Sequence, residues 1–133
     1  INYALIEPIQ KASEATYQNE LERWANQEKD AFKQICSRLS KSKYLLGDNI
    51  TEADKLLYQT LLRHDHIYYY LYKLNFAKSY DFPDIKRYLN DLSKIDEIKN
   101  SIDIENEKEA AFRELEDDRN PYHLIFRGPQ HEY

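Results

Sequence analysis

Apolar residues return at three- and four-residue steps between about positions 15 and 39. Leu21, Trp24, Ala31, Phe32, Ile35 and Leu39 recur there, with Glu, Lys and Gln between them. That is the period of an amphipathic α-helix. At 1.5 Å per residue, a helix of about 25 residues would reach roughly 37 Å, the length of a small domain. The pattern stops in the polar run SKSK. In YLLGDNITEAD, positions 44–54, Gly47 and Asp48-Asn49 are expected to turn the chain and Thr51 to start the next helix. Thr51 and Asp54 are spaced as a capping box, each side chain taking the other residue's amide. The carboxylate also meets the positive end of the helix dipole. Ile50 stands where a hydrophobic staple residue belongs, although its usual apolar partner position holds Lys55.

Beyond the box, Leu56, Leu57, Tyr58, Leu61, Leu62, Ile67 and Tyr68 make the helix apolar nearly all round. Such a helix is expected at the centre of a bundle, covered by others. Shorter helices should follow over PDIKRYLNDL, with Pro83 in its first turn, over IDEIKNSI, and over the charged ENEKEAAFRELEDD. From position 119, Pro121, Gly128 and Pro129 predict an irregular tail. Two glycines and four prolines leave little room for a turn-rich β fold. The expectation is an all-α helical bundle, with one domain over 1–118 and a tail over 119–133 that wraps it.

Composition narrows the functions. With 41% hydrophobic and 32% charged residues, the 133-residue chain has the balance of one ordinary globular domain. No apolar run approaches the roughly 18 to 20 residues that span a bilayer, so no direct membrane span is expected. The net charge of −5 argues against nucleic acid, whose phosphates require a basic face. Cys36, the single cysteine, lies on a helix with Phe32, Ile35 and Leu39 and is expected to be a seam residue rather than a nucleophile. The chain starts at Ile1 and contains no methionine, which fits a processed chain, a fragment or an ordered part. An intracellular protein is expected, and a processed start would suit a mitochondrion or plastid.

The segment HDHIYYYLYKLN, positions 64–75, invites several readings: a metal site, a stacking platform for bases, an aromatic pocket or the end of a buried helix. No Lys/Arg stripe accompanies the tyrosines, which removes the second. His64 and His66 are two apart on a helix and diverge, so they cannot chelate one ion as an i,i+4 pair does. They are expected to be solvated or helix-end histidines, with no metal site. Tyr69, Tyr70 and Tyr72 point about 100° apart in succession and cannot line one wall together.

The order of a long amphipathic helix, YLLGDNITEAD and a buried helix resembles the C-terminal helical domain of glutathione transferases. TLLRHDHIYYYLYKLN, DFPDIKRYLNDL and the closing NPYHLIFRGP are similar to the xi class, the glutathionyl-hydroquinone reductases, over about positions 9–129. The resemblance assigns Arg63, Asp65, Tyr68, Lys73 and Asn75 to family positions; His64 and His66 have none. It also implies a thioredoxin-like lobe that binds glutathione and carries the reactive cysteine, which has no counterpart in these 133 residues. Two tyrosines that hydrogen-bond the quinol are implied as well. Their matching positions hold Gln10, in IQKASEAT, and Ala111, in EAAFRE. An alanine donates nothing to a developing oxyanion, and Glu14, where the family has phenylalanine, would oppose a thiolate.

The functional expectation is therefore a non-catalytic structural or interaction subunit of a larger assembly, built on a degenerate xi-class domain. It needs no cofactor, glutathione entering only if a separate thioredoxin-like lobe exists. Its partners are other protein subunits. Trp24, Tyr69, Tyr70 and Tyr72 are the candidate interface, with at least two of the three tyrosines covered by a partner or the tail. The acidic helix over 105–118 should lie at a rim or in solvent. The alternative is the C-terminal half of a glutathione-dependent transferase or glutathionyl-hydroquinone reductase.

Overall fold

A computed structural model describes residues 2–114 and 121–125. Seven α-helices run in order: α1 (Asn2–Ser13), α2 (Gln18–Leu39), α3 (Glu52–Arg63), α4 (Tyr69–Leu71), α5 (Pro83–Ser93), α6 (Asp96–Lys99) and α7 (Ile104–Glu109). No strand forms among the described residues, so the fold is all-α. The first helix was not anticipated. Its signal is a short one: Leu5, Pro8, Ile9 and Ala12 share one face and are buried, mostly against α2.

Helix α2 is the long amphipathic helix, beginning at Gln18 rather than 15. Ala31, Phe32, Ile35 and Leu39 form its buried stripe. Glu28 lies on that same stripe and is fully buried, a charge where the period calls for an apolar residue. The Arg87 guanidinium of α5 closes the C-terminus of α2, donating to the carbonyls of Leu39 (2.8 Å), Ser42 (3.3 Å) and Lys43 (2.9 Å). The Leu39 carbonyl is one that the helix end leaves without an intrahelical partner, and Ser42 and Lys43 belong to the turn beyond it. Gly47 turns the chain at φ 118°, in the region closed to most L side chains.

At the start of α3 the Asp54 carboxylate takes the Thr51 amide, while the Asp54 amide donates to the Thr51 carbonyl at 3.1 Å. Asp54 does more than cap. It is fully buried; one carboxylate oxygen accepts the Thr51 amide at 2.9 Å, and the other accepts both the Leu45 amide at 3.0 Å and the Tyr88 hydroxyl at 2.7 Å. One side chain thus joins the α2–α3 turn, the start of α3 and the middle of α5. Ile50 stays 41% exposed, so no staple covers it.

Two expectations for the central helix are corrected. Leu56 is 43% exposed, so α3 is apolar on a broad face and not all round. Leu56 follows Glu52 by one turn and shares its solvent edge, while Leu57, Tyr58, Leu61 and Leu62 face the core. The helix also does not continue unbroken: a π-helical turn, His64–Tyr68, intervenes before α4. A second π-turn, Ala110–Glu114, follows α7, where one acidic helix was expected. Positions 115–118 of that expected helix lie outside the described residues.

Helix α5 starts at Pro83 and buries Ile85, Tyr88, Leu89 and Leu92 against α2 and α3. A second, smaller apolar cluster joins Ile67 and Leu71 to Phe112, with Ala111 and Ile125 packed on it. In the expected tail, Ile125 packs on this cluster and His123 meets the Arg113 carbonyl of the second π-turn, while Tyr122 and Leu124 are exposed. Positions 119, 120 and 126–133 lie outside the described residues. No helix among the described residues is long and apolar enough to cross a membrane.

Candidate functional site: the exit turn of the central helix

The π-turn after α3 collects most of the unusual chemistry of the chain. His64, Asp65 and His66 are all buried, which corrects the expectation of solvated histidines. An extra residue in the turn re-aims these side chains inward, a shift that helical spacing alone does not give. Asp65 accepts the Ser79 amide at 2.7 Å and the Ser79 hydroxyl at 2.5 Å, fastening the loop that leads to α5. His64 faces the Ala77 carbonyl with Nε2 at 2.8 Å and the Glu28 carboxyl with Nδ1 at 3.2 Å. Phe32 and Phe76 pack on its ring, and Phe82 stacks on Phe32.

Burial pushes the Glu28 carboxyl above its ordinary value, an effect His64 only partly offsets. For His64, burial disfavours the charged form, but Glu28, Asp65 and the Ala77 carbonyl together outweigh it and raise the imidazole above its ordinary 6.5. No group of three or more His, Cys, Asp or Glu residues among the described residues is arranged to hold a metal ion.

Arg63, the last residue of α3, makes a two-pronged ion pair with Glu107 of α7 at 2.7 and 3.1 Å. Of the helix expected at a rim, Glu105 and Glu109 are exposed, Glu107 is half-buried, and Lys108 is fully buried. Tyr68 stacks face to face on Tyr72, rings 5.3 Å apart, and burial raises the Tyr68 phenol's pKa. Lys73 leaves the helix at φ 58°, a left-handed position for a residue with a Cβ. Asn75, beyond it, is exposed.

The tyrosines do not act as one wall, yet two of them do meet. Tyr69 and Tyr70 stand edge to face at 4.8 Å, and the Lys78 ammonium lies over both rings at 4.8 and 5.0 Å. Tyr80 closes the other side at 5.7 Å, and Lys78 donates to the Tyr70 hydroxyl at 2.6 Å. Tyr69 and Tyr72 are half-buried by the chain itself, and Tyr70 is exposed. Trp24 is half-buried on α2, with the Arg23 guanidinium over its ring. No local pattern points to the lysine, because residues 69 and 78 meet through the loop.

The two positions assigned to quinol-binding phenols carry none. Gln10 is exposed on α1, and Ala111 is half-buried on the second π-turn. Cys36 is half-buried; burial first, then Asp84, raises its thiol above the ordinary 9.0. A shallow cleft of about 590 Å³ lies at the end of α2 between Arg38, Lys41 and Leu46, and neither Gln10 nor Ala111 lines it.

Comparison with known proteins decides the family. The model of the glutathione S-transferase C-terminal domain matches residues 3–96. The chain belongs to that family. Glutathionyl-hydroquinone reductase PcpF of Sphingobium chlorophenolicum is 31% identical over 91 residues, 68% of this chain and 29% of the relative. Glutathionyl-hydroquinone reductase YqjG of Escherichia coli (strain K12) is 26% identical over 121 residues, 91% of this chain and 37% of that protein. Among solved structures, the xi-class transferase of Natrialba magadii superposes with a TM-score of 0.88 at 26% identity, covering 97% of this chain and 39% of the other. The chain thus spans about a third of the length of these curated relatives. Within the transferase helical domain, Asp54 and Asp65 hold the two ends of the central helix, each buried and accepting from a neighbouring loop.

Proposed function

We propose that this transferase helical domain does not support hydroquinone reduction and serves as a structural or interaction unit among other protein subunits. The observation that carries the reading is the pair Gln10 and Ala111 at the positions where the resemblance calls for phenols. A phenol donating to oxyanion charge in a dry site contributes about 3 to 4 kcal/mol to such chemistry. The Ala111 methyl supplies none of that, and the Gln10 amide stands in solvent. Glutathione finds no ready partner in these residues: Cys36 is half-buried, with a thiol that resists ionisation. The apolar side chains exposed on the helices and the intervening turns, Ile6, Tyr17, Leu46, Ile50 and Leu56, suit docking against protein.

The second reading is the helical half of a glutathione-dependent hydroquinone reductase, the activity named for both curated relatives. The native full-length polypeptide should be assayed with a glutathionyl-hydroquinone and glutathione, and its intact mass compared with the 16.0 kDa of this chain. No glutathione-dependent turnover above background is expected. Clear turnover would establish the second reading and reject the first.

A further inference from the structure

A glutamate and a histidine, both inaccessible to solvent, face each other across the core of this domain. Glu28 comes from the apolar stripe of α2 and His64 from the first position of the π-turn. The tautomer of His64 follows from its surroundings. The Ala77 carbonyl can only accept, so the Nε2 facing it at 2.8 Å carries a proton. Nδ1 then has two options toward Glu28 at 3.2 Å. Either Nδ1 is protonated and meets a carboxylate, or it is a lone pair and meets a protonated carboxyl. Both options contain one proton beyond the neutral imidazole and the carboxylate, and both leave the pair without net charge.

We propose that Glu28, His64 and the Ala77 carbonyl form a one-proton clasp that holds the exit loop against α2 and releases it as the medium turns alkaline. Removing that proton leaves a carboxylate against an imidazole lone pair, in a place without water. Glu28 Oε2 has no hydrogen-bond partner among the described residues to soften the charge. The π-turn also buries the His66 imidazole, and the Arg63 guanidinium before it acts on Tyr68 and pairs with Glu107. From the π-turn, Asp65 contributes a second buried carboxyl group, bound to Ser79. The Tyr68 phenol is raised first by burial and slightly by Glu28, and Tyr69 meets the imidazole edge-on at 6.3 Å. From α2, from the loop and from the start of α5 come the rings of Phe32, Phe76 and Phe82 and the Ala77 backbone. Glu28 and Asp65, both fully buried, then stand as neighbouring acidic groups.

The sign follows from linkage. Glu28 and His64 both hold protons more tightly in the folded chain than in the unfolded one. The stabilisation is complete once the pH lies below the ordinary 6.5 of the histidine. It is lost as pH rises past 6.5 and through the raised step at which the pair releases its last proton. The loop from Lys73 to Lys78 gives way first. It is tied down by His64 at Ala77 and by Asp65 at Ser79, and its first residue already sits in left-handed backbone.

The test uses the intact protein, with unfolding in urea and amide exchange at residues 76–79 followed from pH 6 to 9.5. For the native sequence, the unfolding constant should rise about tenfold per pH unit between about 6.5 and the raised step, the signature of one proton, and level off beyond it. Exchange at 76–79, corrected for its intrinsic pH dependence, should accelerate over the same range. Glu28→Gln keeps a neutral donor facing Nδ1 and should abolish the pH dependence while leaving the loop closed. The apolar pair Glu28→Leu with His64→Phe, which guards against misfolding of a single variant, should also be flat. A native protein whose stability does not change over this range overturns the clasp. So does a slope that persists in either variant.

Discussion

Removing the Asp54 carboxylate should cost far more than a helix cap. Judged as a cap alone, Asp54→Ala should destabilise the domain by about 1 to 2 kcal/mol. In the folded chain, that substitution removes the acceptor of the Leu45 and Thr51 amides and the Tyr88 hydroxyl, and of a longer 3.4 Å contact from the Thr51 hydroxyl. Each unsatisfied buried donor costs about 1 to 3 kcal/mol. Against this stands the relief of no longer burying a charge, which for buried polar clusters is several kcal/mol. The net expectation is a loss of about 3 to 5 kcal/mol, a fall in melting temperature on the order of 10 to 20 °C for a domain of this size. Urea unfolding of Asp54→Ala, Thr51→Ala and Tyr88→Phe measures it directly. Thr51→Ala tests the cap alone and Tyr88→Phe one spoke of the hub; each should lose about 1 to 2 kcal/mol. The double variant Asp54→Ala with Tyr88→Phe should lose less than the sum, because the two share a bond. A loss for Asp54→Ala no larger than that for Thr51→Ala would refute the hub.

Arg63→Ala should destabilise by on the order of 1 kcal/mol, since the ion pair with Glu107 is two-pronged but about a third exposed; equal urea midpoints for variant and native protein would show that it contributes nothing. Lys78→Met removes a cation from three tyrosine faces, contacts of about 0.5 to 1 kcal/mol each. Quenching of tyrosine fluorescence by iodide should then increase, and an unchanged quenching constant would speak against the cage. Cys36 should alkylate more slowly than a cysteine peptide at pH 7.5, with a rate still climbing above pH 9, because its thiol is raised by burial and by Asp84; a rate equal to the peptide's would contradict that environment.

Local chemistry made much of this protein legible in its sequence. The all-α class, the long helix ending at Leu39, the Thr51–Asp54 cap and the start of α5 at Pro83 are written in adjacent or periodic residues. A 3.6-residue period, a capping pair and a proline each act within one or two turns. The resemblance to the xi class rested on contiguous stretches of the same kind, and the family match bears it out. The tertiary structure alone decided which charges go inside. Glu28 interrupts an apolar stripe, and His64 stands in a polar-looking run; only the π-turn brings them together, 36 positions apart. Asp54 meets Tyr88, Arg63 meets Glu107, and Arg87 meets the end of α2 across 34, 44 and 48 positions. Period and propensity describe a residue's own helix and carry no information about its partner on another. Burial of a charge depends on that partner, so it is settled only when the helices pack.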